Sequence, residues 1–230
     1  MLTMYYANIL DFNFEGLLTS CGALISKERK KQIDSLKFKE DKKRSLIAEI
    51  LILNALVCDF SFLTSDIKFL KTEYGKPYLD GSRLQFNISH SGNYVICGVS
   101  NGCLGVDIEE YGDCHKELIH YFHPEEILEY NKLNSFQQKK YFYDFWSLKE
   151  SYVKYLGLGL SYNLDSFYLI KEKERYSVIR EDGEETSVKL EILNIDNQYA
   201  CSICYEAERV DRIEKFDRKQ LKYFMDKSIL

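Results

Sequence analysis

Glu150 and Lys154 lie four apart in the stretch FWSLKESYVKYLGLGL (145–160), so on a helix they project from one side. Trp146, Val153 and Leu156 give that helix an apolar face with Leu148 and Tyr152 close to it, and Gly157 and Gly159 end it. Taken alone, an acid and a lysine at this spacing read as a solvated surface pair. Other segments supply company. In GVDIEE (105–110), Asp107 and Glu109 are two apart and share one face of a strand, while Val106 and Ile108 turn to the other. Neighbouring carboxylates repel unless a cation or proton comes between them. An all-oxygen donor set without His or Cys suits Mg²⁺, with Mn²⁺ as the alternative. The plain alternative is a pair of solvated acids at a strand edge.

Two further segments are rich in donors. FNISHSG (86–92) clusters Asn87, Ser89, His90 and Ser91 at the start of a strand, with Gly92 able to adopt left-handed geometry. Ser89 and His90 can donate to phosphate oxygens, or the segment is a turn holding a satisfied histidine. A serine-hydrolase triad is excluded here, because adjacent residues point apart and no G-x-S-x-G elbow exists. In EYGKPYL (73–79), Gly75, Lys76 and Pro77 make a rigid turn that presents one lysine. Neither a Walker A pattern nor G-x-G-x-x-G occurs anywhere.

Composition narrows the class. The 230 residues carry a net charge of −5, yet the window 27–44 holds nine Lys or Arg against four Asp or Glu and leaves the rest of the chain at −10. One basic window in an acidic chain fits a small anionic ligand better than a nucleic-acid track, and a solvated helix pair is its bland alternative. The apolar run 46–58 is too short to span a bilayer and contains Glu49 and Asn54, and no basic residue precedes the first apolar run, so neither membrane span nor leader is expected. The seven cysteines (21, 58, 97, 103, 114, 201, 204) are odd in number and several lie in apolar runs, which points to reduced thiols and a cytoplasmic setting. The lone C-x-x-C of Cys201 and Cys204 reads as strand, with no partner set for a metal.

The elements that must position these residues form an α+β pattern. A strand is expected near 3–10, then helices at 26–36 and 40–59, the second with Leu46, Ile50, Leu53 and Val57 as its core stripe, then a strand at 65–71, a short strand leading into FNISHSG and a strong strand at 93–100. The second half repeats the outline: a strand at 103–111, helices through 156, then strands ending with QYACSICYE (198–206). Two similar α+β lobes follow, an N-terminal lobe at 1–102 and a C-terminal lobe at 103–209. A docking helix at 210–230 would gather Ile213, Phe216, Leu221 and Phe224 on one face.

GKPYL, FNISHSG, GVDIEE and WSLKESYVKYLGLGL, in this order and spacing, resemble the signature segments of 4′-phosphopantetheinyl transferases of the surfactin-synthetase-activating type. The resemblance implies two pseudo-symmetric α+β lobes, related by a pseudo-twofold, with coenzyme A between them. It implies transfer of the phosphopantetheine arm of coenzyme A to a serine of an apo acyl or peptidyl carrier protein, with adenosine 3′,5′-bisphosphate released. Asp107, Glu109 and Glu150 match the family's metal-binding acids and Lys154 the lysine near the reacting phosphate. Arg44, Lys76, Pro77, Ser89, His90 and Lys149 match positions at the nucleotide end, with Arg44 on the 3′-phosphate. Glu126 matches an acid thought to activate the serine, and whether it or Glu150 is the general base stays open. The resemblance further implies a cytoplasmic monomer of nonribosomal peptide or polyketide biosynthesis, without nucleic acid or membrane. Leu160 and Tyr162 are the expected carrier contacts.

Overall fold

The computed structural model describes residues 1–113, 115–159, 162–173 and 175–228; Cys114 and Leu160, both singled out above, lie outside the described residues. The chain divides into two compact units, one of Met1–Leu70, Pro77–Asn101 and Arg209–Leu230, the other of Lys71–Lys76 and Gly102–Glu208. The α+β expectation holds in both.

In chain order, the first stretch runs β1 (Leu2–Asn8), α1 (Phe14–Cys21), α2 (Lys27–Ser35), α3 (Lys39–Cys58), β2 (Phe69–Lys71), β3 (Pro77–Leu79), β4 (Gln85–Ser91) and β5 (Tyr94–Ser100). A sheet ordered β4, β5, β1 and a last strand β11 (Arg212–Lys215) backs α3; β4, β5 and β1 are antiparallel, whereas β1 and β11 run parallel. Residues 46–56 of α3 are buried all round, so its core surface is wider than the single stripe its spacing suggested; Val57, the last of that stripe, is only partly covered. The buried Glu49 is met by Arg29 Nε at 3.1 Å, as a charge removed from water requires.

The C-terminal segment departs from expectation. Residues 212–215 form β11, and only Arg218–Ser228 is helical, as α7. Asp217 starts that helix by accepting bonds from the backbone of Lys219 and Gln220, a cap that the apolar spacing alone does not reveal. Ile213, placed on a strand, is 44% exposed, while Phe216 and Phe224 are buried.

The second unit contains β6 (Leu104–Glu110), α4 (His115–Leu118), α5 (Pro124–Asn131), α6 (Ser135–Leu156), β7 (Phe167–Glu172), β8 (Arg175–Arg180), β9 (Lys189–Ile192) and β10 (Tyr199–Tyr205). The sheet order is β6, β10, β9, β8, β7, antiparallel throughout. Helix α6 opens on a reciprocal cap between Asn134 and Gln137 and ends on Gly157, whose φ of 74° places it in the left-handed region. It lies along β6 and β10.

One contact sets how close helix and strand come. A Cβ on Gly105 would stand 2.0 Å from Ser151 O and 2.3 Å from Tyr155 N, so β6 and α6 touch backbone to backbone at this point. We expect Gly105→Ala to cost about 3 kcal/mol, at the upper end for overpacking, read as a lowered urea midpoint at unchanged slope. A loss below about 1 kcal/mol would mean that the spacing relaxes freely.

Candidate active site

The close approach at Gly105 brings the face of β6 that carries Asp107 under α6. Asp107 is 1% exposed, and its Oδ1 accepts from Lys154 Nζ at 2.6 Å. The cation that sequence reasoning required beside the acids is therefore supplied by the chain itself, and Lys154 does more than pair along its helix with Glu150. Ser147 Oγ donates to Asp107 O at 3.2 Å and lies 2.8 Å from Ser202 Oγ, which pins α6 to β6 and β10. Neither Ser147 nor Gly105 was singled out from sequence. Their signals were a small residue two positions before Asp107 on the same strand face, and a hydroxyl on an otherwise aromatic turn of helix.

Glu150 is half-buried. Burial raises its pKa, the charge of Asp107 raises it further, and Lys154 partly offsets both. Asp107 and Glu150 thus feel each other's field across the β6–α6 seam. Glu109, partly exposed, shares the strand face of Asp107. The seam thus carries the carboxylates of Asp107, Glu109 and Glu150 and the ammonium of Lys154 on one strand and one helix. Among the described residues no group of three His, Cys, Asp or Glu is positioned to hold a metal ion. The donor chemistry nevertheless fits a hard divalent cation: the acids are oxygen donors, two of them interact, and their mutual repulsion would be relieved by it.

The structure gives Glu126 and Lys149 a different setting. Lys149 Nζ meets Glu126 Oε2 at 2.9 Å with side-chain exposures of 0% and 1%. Lys149 also donates to Phe167 O at 2.7 Å, and Glu126 accepts from the backbone of His123 and Leu169. The Lys76 ammonium is engaged within the second unit. Its Nζ donates to Lys154 O at 2.6 Å and lies near the carbonyls of Leu104 and Tyr155, capping the negative end of α6. Burial lowers its pKa. Tyr162, expected as a carrier contact, is partly exposed and meets the Tyr152 ring edge-on and the Phe167 ring at a tilt.

In the first unit, Arg44 in the opening turns of α3 donates to Gly92 O at 2.6 Å and to Asp41 at 2.5 Å. It is thereby tied to the SHSG turn that ends β4. Ser89 is buried on β4, His90 is exposed on its other face, and Pro77 opens β3. Cys201 and Cys204 are buried free thiols whose pKa values burial raises, which leaves the C-x-x-C a packing feature.

These features define a chain with an acid–lysine cluster on one unit and a fixed arginine on the other. Sequence comparison assigns it. The model described as "4'-phosphopantetheinyl transferase superfamily" matches residues 103–204, and "4'-phosphopantetheinyl transferase, N-terminal" matches residues 15–101. A 4'-phosphopantetheinyl transferase of Bacillus subtilis is 34% identical over 185 residues, 79% of this chain and 82% of the relative. The transferase gsp of Aneurinibacillus migulanus is 31% identical over 205 residues, 89% and 84% of the two chains. Sfp of Bacillus subtilis strain 168 is 32% identical over 184 residues, 79% and 82%. The chain belongs to the 4′-phosphopantetheinyl transferase family, and it is a transferase.

Glu150 makes stability depend on pH. Its folded pKa is raised, so the folded state holds a proton that the unfolded state has released, and stability is lost as pH rises from the ordinary carboxyl value of 4.5 through the folded value. In EDTA, Glu150→Gln is expected to melt higher than the parent at pH 8, with the difference vanishing at pH 4. A gap independent of pH would show that the carboxyl is not destabilised by its surroundings.

Proposed function

We propose that this chain transfers the 4′-phosphopantetheine arm of coenzyme A to a serine hydroxyl on an apo carrier protein, releasing adenosine 3′,5′-bisphosphate. The observation that carries the reading is the cluster of Asp107, Lys154 and Glu150 at the β6–α6 seam, in a chain of this family. The serine oxygen forms a new bond to the phosphorus that bears the pantetheine, and the bond from that phosphorus to the bridging oxygen of the nucleotide breaks. The hydroxyl proton leaves by way of a water at the seam, because Glu150 as a ligand of the divalent ion is a weak base. Lys154 places its ammonium against the phosphate oxygens. Asp107, Glu109 and Glu150 would hold Mg²⁺, or Mn²⁺, which supplies neutralisation of the charge gathering on the leaving oxygen.

At the nucleotide end, Arg44 is assigned to the 3′-phosphate with lysines of 27–43 nearby in sequence. Two fixed hydrogen bonds already orient its guanidinium, which lowers the entropy lost on gripping a phosphate. Ser89, His90 and Pro77 complete this end. Lys76 is assigned to it through its backbone, since its ammonium is engaged at α6. The protein is proposed to act as a cytoplasmic monomer, without nucleic acid or membrane, in peptide or polyketide assembly. Supporting this, one chain carries both matched segments, and among the described residues six cysteines are free thiols. Among the described residues, no helix is long and apolar enough to cross a membrane.

The test is intact mass spectrometry of an apo carrier incubated with coenzyme A. The carrier should gain the phosphopantetheine mass, EDTA should stop the gain and Mg²⁺ restore it. Loss of the arm from holo carrier would instead indicate a hydrolase, and binding without mass change a carrier-binding relative. A second expectation concerns Arg44→Ala. It should raise the KM for coenzyme A by about 10- to 100-fold, the worth of a charge-assisted pair, and leave dephospho-coenzyme A nearly unaffected. Equal effects on both would remove Arg44 from the 3′-phosphate.

A further inference from the structure

We propose that Glu126 and Lys149 are a positioning clamp that fixes the rotation of α6, and take no part in the chemistry; this rests on the transferase reading above. The two side chains are among the most enclosed charges in the second unit, 1% and 0% exposed. Glu126 uses Oε1 to accept from Leu169 N at 2.9 Å, and Oε2 to accept from His123 N at 3.1 Å and from Lys149 at 2.9 Å. One carboxylate therefore caps α5, holds β7 and grips α6. The Lys149 ammonium, bonded to Phe167 O, also stands 4.0 Å from the centre of the Phe167 ring. Glu126 borders a hollow of about 730 Å³ between α5, α6, β7 and β8, yet its carboxylate is enclosed. A general base has to reach the hydroxyl proton directly or through one water, and the Glu126 side chain, 1% exposed, is held inside the unit among α5, α6 and β7.

What the clamp controls follows from helix geometry. Consecutive residues are set about 100° apart around the axis, so the residue after Lys149 points away from α5 and β7. That residue is Glu150, which feels Asp107 on β6. A turn of α6 by about 20° would carry a side-chain oxygen some 6 Å from the axis through about 2 Å, as much as separates contact from no contact at the Lys154–Asp107 pair. Ser147 holds the β6 and β10 side of the helix, and Lys149 holds the other. With both sides fixed, Glu150 and Lys154 have one orientation.

The chain's single tryptophan reports on the clamp. Trp146, three positions before Lys149, packs against Phe122 and Phe142 at ring distances of 6.3 and 5.5 Å, and the Lys149 ammonium lies 5.7 Å from the Phe122 ring. Three full-length variants decide the question: Glu126→Gln, Lys149→Met, and Glu126→Leu with Lys149→Met. Removing one member of a buried pair strands the other, whereas an apolar pair of similar volume is tolerated. Each single variant is expected to melt lower, to shift Trp146 emission to longer wavelength, and to lose about 100-fold in kcat with KM for the carrier unchanged, the size of loss a 1 Å misplacement produces. The double variant should regain the parent emission and melting temperature, and return kcat to within about tenfold.

A double variant that refolds with parent emission yet stays as inactive as Glu126→Gln would overturn the proposal and make Glu126 catalytic. Single variants that melt lower but keep full kcat, at a temperature where they are folded, would reduce the pair to a stability element and equally overturn it. So would a double variant less stable than either single. If the parent itself adds no mass to carriers, the transferase reading fails, and the emission and melting data still judge the clamp.

Discussion

The site depends on how closely one strand and one helix can approach. At Gly105 the backbone of β6 meets that of α6 with no room for a methyl group, and two residues further on, Asp107 lies within reach of Lys154. With side chains in between, the helix would ride several ångströms higher, and the acids of β6 would face it across water. The electrostatics follow from the steric fact. A carboxylate at 1% exposure persists in charged form only beside a cation, and the strand–helix spacing is what lets the chain's own lysine be that cation.

Once Asp107 is buried, its charge acts on everything near it in a medium that screens poorly. Glu150, on the same side of α6 as Lys154, is pushed toward protonation by burial and by Asp107, and pulled back by the lysine. Such a group is held away from its solution behaviour by its surroundings, which is common at sites of chemistry. On the proposed reading these acids are the complement of a divalent ion, and that ion and Lys154 would neutralise the phosphates of the substrate. Cation, acids and lysine are thus one electrostatic unit, and no member has a meaning alone.

Much of this was legible in the sequence because it is local. The turn glycine after Leu156, the period of α6, the alternation of β6 and the four signature segments all sit within short windows, and α2, α3, α6, β5, β6 and β10 fall within a residue or two of expectation, whereas the strand expected at 65–71 is only Phe69–Lys71. The Asp107–Glu150–Lys154 grouping was legible only through the resemblance, since 43 residues separate the first two. What stayed hidden was where long side chains turn. Lys76 and Lys149 read as cations facing solvent or ligand, and each instead spends its ammonium on carbonyls or a buried carboxylate. Spacing fixes the direction of a Cβ, but a lysine has four further bonds whose rotation is decided by partners distant in sequence. The last segment misled for the same reason: RIEK joins the edge of a sheet through β1, more than two hundred residues away.

Lys76 and Lys149 share one physical logic. Both are withdrawn from solvent, both have pKa values lowered by burial, and both grip α6, one at its C-terminal carbonyls and one at its flank. A desolvated ammonium is costly, so a fold retains it only where its hydrogen bonds are fully used. Here the bonds are used to hold a single helix at a fixed height, rotation and end. Hydrophobic packing specifies such quantities loosely, because a helix surrounded by aromatic rings can rotate with little change in buried area. Directional bonds from buried charges penalise that rotation steeply. On the proposed reading α6 carries Glu150 and Lys154, whose placement the chemistry would need to within about an ångström, so the charged clamps fall on the element where loose specification would cost the most activity.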